Sequence, residues 1–488
     1  MVDGLTIKNC CYYANLAEQH FLLNALEAAH QTIAKNMAVL LKESRSDLFA
    51  LNFSSLMAVL DVDEIPGVKE VDLINLSLDW LDENGPLPLL KSNLLLSRLR
   101  FGLVAPSVLS DLSHGNRAMA TPLIRSQVTR ALEYHQMGSA QPIGQSKQST
   151  LRGSSSVLLV GGGASADLPE EQVLAFIPSS RTFSLPGFVL PLRLRNPCVC
   201  SVGGFLFVIG GEEGKRCDDG EKKFIAVSTS RQVWRYDPRF KHWEQMESML
   251  ERRVQFTCCV VEDVIYAIGG RHAQLDSNTY TSVSSVEYYD MSSGGWRRGA
   301  AMPCPLHGHA STVLDKSIYV SGGLPAHQGH IHGSNQDVNR EISRDCLSWD
   351  LKGKIWEKRA SMSIPRFGHR LATAHGYIYA LLGMYEPFCD IERYDPPSNH
   401  WTRLKPLANG LFNYGMVPMA CGNLLLFGGR RWSDGQQVTV KSVLEYDTKK
   451  DRWREIALLP RPLTVYIKLV PSETLNVEQL KPASNPNE

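Results

Sequence analysis

Charge of either sign is barely in excess in this sequence. The 488 residues hold 51 Lys and Arg against 50 Asp and Glu, a formal net charge of +1. That balance gives nucleic acid and anionic membranes no electrostatic claim as main partners. Long apolar runs are missing as well. None approaches ~18 residues, so no transmembrane helix is expected. The opening stretch MVDGLTIKNCCYY lacks the basic-then-apolar order of a signal peptide. The 11 cysteines form no CxxC pair and no Cys/His ligand spacing, so no metal and no cofactor is expected. They read as reduced thiols of a cytoplasmic or nuclear protein. Cys198 and Cys200 alternate along a strand and face one side, whereas Cys258 and Cys259 face opposite sides of theirs. Cys217, in EEGKRCDDGEKK, is the candidate redox thiol: Lys215 and Arg216 would lower its pKa, against Asp218 and Asp219.

What is present is a repeat. Six apolar runs end on a glycine pair or a near-pair: Val157–Gly162, Phe205–Gly211, Val264–Gly270, Ser317–Gly323, Tyr377–Met384 and Leu424–Gly429. Their second glycine, or its stand-in at Met384, recurs every 45–60 residues or so. Large and β-branched residues in such runs suit strands packed on both faces. The glycines allow a tight exit with positive φ. Behind five of the runs comes an aromatic–Asp pair ending at Asp237, Asp290, Asp350, Asp395 and Asp447. A Trp follows six residues after each, at 243, 296, 356, 401 and 453. The first copy is degenerate, with Phe176-Ile177-Pro178 for the aromatic–Asp pair and Phe183 for the Trp. A Met or Leu, often a Pro, and then Arg or His lead into the next strand, as in Met249 to Arg253 and Met362 to Arg366. A period near fifty with this content describes the blade of a propeller, and these copies resemble the kelch repeat.

Residues 1–135 read differently, as successive helices. Leu16, Leu23, Leu26, Ile33, Met37 and Leu40 fall at helical spacing, as do Leu56, Val59 and Leu60, then Ile74, Leu78 and Leu81. Ser54 or Ser55 is the expected cap of the second group, and Trp80 is expected on the flank of the third. No catalytic spacing and no glycine-rich phosphate loop appears there. The set Asn9-Cys10, Ala17-Glu18-x-His20, Asn36, Leu78-Asp79-Trp80-Leu81 and Leu99-Arg100-Phe101 is similar to the BACK domain. BACK-like helices ahead of six kelch units resemble the BTB–BACK–kelch (kelch-like) family. The fold class expected is therefore α+β multidomain: helices over 1–135, a Gln/Ser/Gly-rich flexible linker over 136–153, a six-bladed all-β kelch propeller over 154–471, and a disordered tail over 472–488. The chain enters the propeller at a glycine-pair strand. The alternating run Leu463–Val470 is therefore expected to join the first blade and close the ring.

The resemblance carries functional expectations. In the family a BTB domain precedes the helices and supplies dimerisation and most of the contact to a cullin scaffold. Here the chain starts eight residues before the Asn-Cys equivalent, so the expected cullin contact depends on a BTB-containing form or partner. Two recurring loop positions line the family's substrate pocket, the residue after the glycine pair and the Arg or His after the Met/Leu-Pro turn. Carried onto this sequence, they give Arg195, Arg253, Arg271, Arg366 and Arg430 around one rim, completed by Tyr385 and His307. Such a rim would take an acidic segment of a target protein, because a guanidinium forks onto a carboxylate. The alternative is that these arginines tie strand ends of neighbouring blades together. The repeated Asp and Trp residues are expected to be structural, with the tryptophans packed between blades. His327, His330 and His332 lie in a polar loop that promises no rigid metal site. The expected role is a non-enzymatic substrate-recognition adaptor of a cullin-RING ubiquitin ligase. The alternative is a cytoskeletal, actin-binding or scaffolding protein. A copper enzyme resembling galactose oxidase is disfavoured, since it would be secreted and normally has seven blades.

Overall fold

The computed structural model describes residues 4–85, 87–115, 119–138, 141, 147–150, 152, 155–160, 173–185, 189–192, 194–216, 224–273, 280–290, 294–326, 342–353, 355–384, 389–433, 436–461 and 466–471. The chain forms two compact units, one centred on residues 1–155 and the other on 156–470.

The first unit is helical. Among the described residues it holds α1 (Cys10–Gln19), α2 (Leu23–Lys35), α3 (Met37–Glu43), α4 (Arg45–Phe49), α5 (Phe53–Asp61), α6 (Glu70–Glu83), α7 (Leu89–Leu96), α8 (Pro106–Gly115) and α9 (Pro122–Gln136). α1 buries Cys10, Ala14 and Ala17, and α2 buries Ala29 and Ile33. These are i, i+4 and i+7 positions, one stripe of a helix. Two local expectations are corrected. The cap of α5 is Asn52, whose side chain accepts from the Ser55 amide at 2.8 Å. An extended backbone at Asn52 puts its oxygen in reach of that orphan donor, and Ser54 and Ser55 already lie inside the helix. Trp80 is not on a flank. It is 3% exposed, and its indole N–H donates to the Leu51 carbonyl at 3.1 Å.

The stretch expected to be a flexible linker supplies side chains to this unit. Arg152, 3% exposed, donates from Nε to Glu70 at 2.9 Å and from Nη2 to the Arg98 carbonyl at 2.8 Å. Glu70 also accepts from the Arg100 amide at 2.6 Å, and Arg100 donates to the Thr150 carbonyl at 2.7 Å. Gln148 donates to the Ser97 carbonyl at 3.1 Å. A buried carboxylate holding a guanidinium and an amide accounts for the order of this polar segment.

The second unit is the propeller. It contains six four-stranded antiparallel sheets among the described residues. Blade 2 runs through Cys198–Val202, Phe205–Ile209, Val233–Asp237 and His242–Met246. Blade 3 runs through Thr257–Val261, Val264–Ile268, Val286–Asp290 and Gly295–Arg298. Blade 4 runs through Ala310–Leu314, Ser317–Ser321, Cys346–Asp350 and Ile355–Arg359. Blade 5 runs through Arg370–Ala374, Tyr377–Leu381, Ile391–Asp395 and His400–Arg403. Blade 6 runs through Gly415–Pro418, Leu424–Phe427, Ser442–Asp447 and Arg452–Leu458. Blade 1 has the order Thr182–Ser184, Leu174–Ile177, Ser155–Val160 and Tyr466–Pro471. The C-terminal strand thus completes the first sheet, as expected. Val157, Leu159 and Phe176 of blade 1 share one core with Val417, Leu425 and Phe427 of blade 6.

Blades 3 to 6 are each bound to the blade before by their Trp. Trp296, Trp356, Trp401 and Trp453 donate to the carbonyls of Glu247, Ala300, Ala360 and Lys405, at 2.9, 2.9, 2.8 and 3.2 Å. Each also packs on the aromatic of its own blade, as Tyr289 on Trp296 (5.4 Å between centroids) and Tyr446 on Trp453 (4.8 Å). In blade 1 Phe176 pairs with Phe183 in the same register, centroids 5.0 Å apart. The repeated aspartates shape the turns, since Asp447 accepts from the amides of Lys449 and Lys450 at 3.1 and 3.0 Å.

The glycine pair has a steric cause. Gly269 and Gly270 have φ of 59° and 96°, and a Cβ on Gly270 would lie 2.6 Å from Cβ of Phe256. In blade 5 the pair is Leu382–Gly383, with φ of 51° and 128°. The stand-in expected at Met384 is therefore one residue too late. The register shows it: Arg366 donates to the Leu382 carbonyl at 2.7 Å just as Arg253 donates to the Gly269 carbonyl at 2.7 Å.

Candidate functional site: the propeller mouth

Five blades build the mouth in the same way. The residue after the glycine pair lies antiparallel to a residue on the segment leading into the inner strand. The partners are Arg195 with Glu212, Val254 with Arg271, His307 with Leu324, and Phe412 with Arg430. In blade 5 the Met384 amide donates to the Phe367 carbonyl at 2.7 Å. Below this rim the inner strands of blades 2–6 line a cavity of about 460 Å³.

The expected site residues divide. Arg253 and Arg366 do not reach the mouth, which corrects their assignment to the rim. They are 0% and 1% exposed. Arg253 donates to Glu287 at 2.8 Å and to the carbonyls of Gly269 and Ser285 at 2.7 and 2.9 Å. Arg366 donates to Glu392 at 3.0 Å and to the carbonyls of Leu382 and Asp390 at 2.7 and 2.8 Å. These are ties within a blade, close to the structural alternative raised from the sequence. The physical reason is a slip of one residue. Arg253 and Arg366 precede the rim positions Val254 and Phe367, while Arg195 and His307 occupy the rim positions themselves. Along an extended chain one step turns a side chain from one face to the other.

Arg195, Arg271 and His307 belong to one arc. The Tyr280 hydroxyl donates to Glu212 at 3.1 Å, and the Arg271 guanidinium lies 4.2 Å over the Tyr280 ring. His307 Nδ1 and the Ser282 hydroxyl share a hydrogen bond of 2.8 Å, and the His307 ring meets Phe367 edge-on at 5.8 Å. Burial, and then Arg271, push the His307 pKa down to about 4, so the ring is neutral at physiological pH. Burial lowers the Arg271 pKa, against Tyr280 and Glu212, which raise it. Burial first, and then Glu212, raises that of Tyr280. Arg195 is exposed beside them.

The adjoining part of the rim is apolar. Leu324 and Phe367 are half-buried, and Met384 is 38% exposed. Arg430, in blade 6, donates weakly to Gln437 at 3.3 Å, next to Trp432, which is 48% exposed. Tyr385, Cys217, His327, His330 and His332 lie outside the described residues. The residue after the pair in blade 5 is Met384, so the position reasoning that selected Tyr385 was also off by one. Sequence reasoning placed Glu212 at a pocket-lining position, after its glycine pair, but missed Tyr280, Ser282, Phe367 and Met384 as site residues. Tyr280 and Ser282 could have been found from the return strand Tyr280–Ser282, which pairs with Arg271–Ala273.

Comparison with known proteins agrees with this architecture. Residues 196–412 match a sequence profile described as the KLHDC2/KLHL20/DRC7 Kelch-repeats domain, and residues 10–114 match BACK, described as BTB And C-terminal Kelch. Kelch-like protein 34 of Homo sapiens is 34% identical over 93% of this chain and 74% of its own length. Kelch-like protein 36 of Bos taurus is 28% identical over 85% of this chain and 65% of its own. Kelch-like protein 15 of Homo sapiens is 26% identical over 84% of this chain and 67% of its own. The chain thus spans about two thirds to three quarters of these relatives. A solved structure titled Structure of YjhT aligns at a TM-score of 0.46 and 13% identity over 57% of this chain and 87% of its own, too slight a likeness to argue from. With BACK helices, six kelch blades and a relative this similar along most of its length, the chain belongs to the Kelch-like family.

Proposed function

We infer that the propeller mouth is a protein-binding site for an acidic segment of a target. The supporting observation is the arc in which Arg195 and Arg271 stand beside His307, with an apolar lip of Leu324, Phe367 and Met384 next to it. The two guanidiniums, with Arg430 further round the rim, would engage carboxylates, and the lip would take an adjoining apolar side chain. His307 adds a neutral donor–acceptor rather than a third charge. Catalysis is not part of this reading. The BACK-matched helices support the further inference that the bound target is presented to a cullin-RING ubiquitin ligase through a BTB domain in the same polypeptide or in a partner.

The test is affinity capture with the full chain, identification of the bound proteins by mass spectrometry, and titration of the captured target's acidic segment. Arg195→Ala and Arg271→Ala should each weaken binding roughly fivefold to thirtyfold, about 1–2 kcal/mol. Arg431→Ala, an exposed arginine outside the arc, should leave it unchanged. Equal binding by wild type and by the Arg195/Arg271/Arg430 triple alanine variant would move the site away from this mouth.

A further inference from the structure

The inner strands carry an arrangement of thiols that the mouth does not use. Cys198 pairs with Ile209 and Thr257 pairs with Ile268, each opposite the last residue before a glycine pair. Ala310 pairs with Ser321 in the same way. Cys198, Thr257 and Ala310 are therefore equivalent, as are Cys200 and Cys259, and Cys258 and Ser311.

The seam between blades 3 and 4 shows what these positions do. The Ser311 hydroxyl lies 2.5 Å from the Thr257 hydroxyl and 3.0 Å from Cys259 Sγ. One inner strand thus offers two side chains to a single residue reaching back from the next. At the seam between blades 2 and 3 the same positions are Cys198, Cys200 and Cys258. The Cys258 thiol shares a hydrogen bond with Cys198, and Cys200 is near enough to act on it electrostatically. Cys198, Cys258 and Cys259 lie on the wall of the central cavity. None of these cysteines is in a disulfide. Cys198 and Cys258 are partly exposed and Cys259 is buried, so a small oxidant diffusing into the cavity meets the first two.

We propose that Cys198 and Cys258 are a redox pair that closes to a disulfide across the blade 2–blade 3 seam, with a diffusible hydroperoxide as oxidant. The chemistry balances. Burial, and then the bond to Cys198, push the Cys258 thiol up, so Cys198 is the thiolate that attacks the peroxide O–O bond, forming a sulfenic acid and releasing hydroxide. The second thiol sulfur displaces the sulfenic oxygen, which leaves as water with the hydroxide taking the remaining proton. Overall, two thiols and one hydrogen peroxide give one disulfide and two waters. The cross-link would join strands that begin three residues after Arg195 and one residue before Cys258. It would therefore couple the redox state of the cavity to the geometry of the rim above it.

The experiment uses the full chain, treated with hydrogen peroxide, blocked with N-ethylmaleimide, digested without reduction and read by mass spectrometry. The expected product is a peptide pair linked through Cys198 and Cys258, lighter by two hydrogens than the sum of the two and separated by dithiothreitol. The oxidised chain should unfold at a higher temperature than the reduced chain. Cys200→Ser should still give the pair. Cys259, bonded to Ser311 instead of to a thiol, should stay reduced and react with maleimide only after denaturation. The proposal is overturned if exposed Cys421 is oxidised while Cys198 and Cys258 remain unlinked. It is equally overturned if the pair forms only in guanidinium, or if Cys258 links to Cys200 instead.

Discussion

Arg366 and Glu392 form a buried ion pair across blade 5, 3.0 Å apart with side-chain exposures of 2% and 0%. Arg253 and Glu287 repeat it in blade 3 at 2.8 Å. In blade 4 the same two places hold Leu306 and Leu347, and in blade 6 Leu411 and Leu444, packed in the cores there. One chain thus uses charged and apolar solutions to the same blade geometry.

That alternation makes a prediction. Glu392→Ala should lower stability by about 3–5 kcal/mol, because it strands a buried guanidinium. Arg366→Leu with Glu392→Leu, which copies blade 4, should be near neutral. The Arg366 bonds to the Leu382 and Asp390 carbonyls set the limit on how well the copy succeeds. Urea unfolding of the two variants checks it. Equal losses would show that the carbonyl ties, rather than the ion pair, carry the stability.

Gly270→Ala should cost roughly 3 kcal/mol, from left-handed strain together with overlap against Phe256. A similar alanine at Gly294, where no atom lies within 4 Å of the new Cβ, should show only the strain. Thermal unfolding of both variants separates steric closeness from conformation.

Acid should weaken the propeller through its histidines. His309 bonds the Ile268 carbonyl at 3.1 Å, and burial holds its pKa down at about 4. His369, bonded to Ser321 at 2.8 Å, is lowered for the same first reason, and then by Arg366. A depressed histidine is neutral in the fold while its unfolded counterpart takes up a proton near pH 6.5. The stability is therefore fully present above about pH 6.5 and lost as pH falls toward 4, by up to about 1.4 kcal/mol per pH unit for each group. Urea midpoints measured from pH 7 to pH 4 should fall less steeply in His309→Gln than in wild type.

Removing residues 462–488 should open the ring. The strand Tyr466–Pro471 is the last member of blade 1, and its loss leaves the edge of Ser155–Val160 unpaired. Light scattering and calorimetry should show aggregation and a lower unfolding temperature. An unchanged profile would mean that the first sheet is stable with three strands.

The repeat itself was readable because glycine pairs, aromatic–Asp pairs and tryptophans recur at set separations. Even the degenerate first copy was placed correctly through Phe176 and Phe183. The site was harder. Arg253 and Arg195 look alike in a turn, yet one is sealed under Glu287 and the other stands in solvent. Leu382 gave no hint that it takes a glycine's conformation, so Met384 and Tyr385 were placed one residue out. Asn52 and Trp80 were misjudged on a similar scale, by a turn or a face.

From the amino-acid order alone came the number of blades, the closing strand and the helical unit ahead of them, because those follow from local periodicity summed over many residues. Which arginines meet a ligand, and which thiols meet each other, was decided by the fold. Those facts depend on the phase of each extended segment against its neighbour, and a shift of a single residue reverses them.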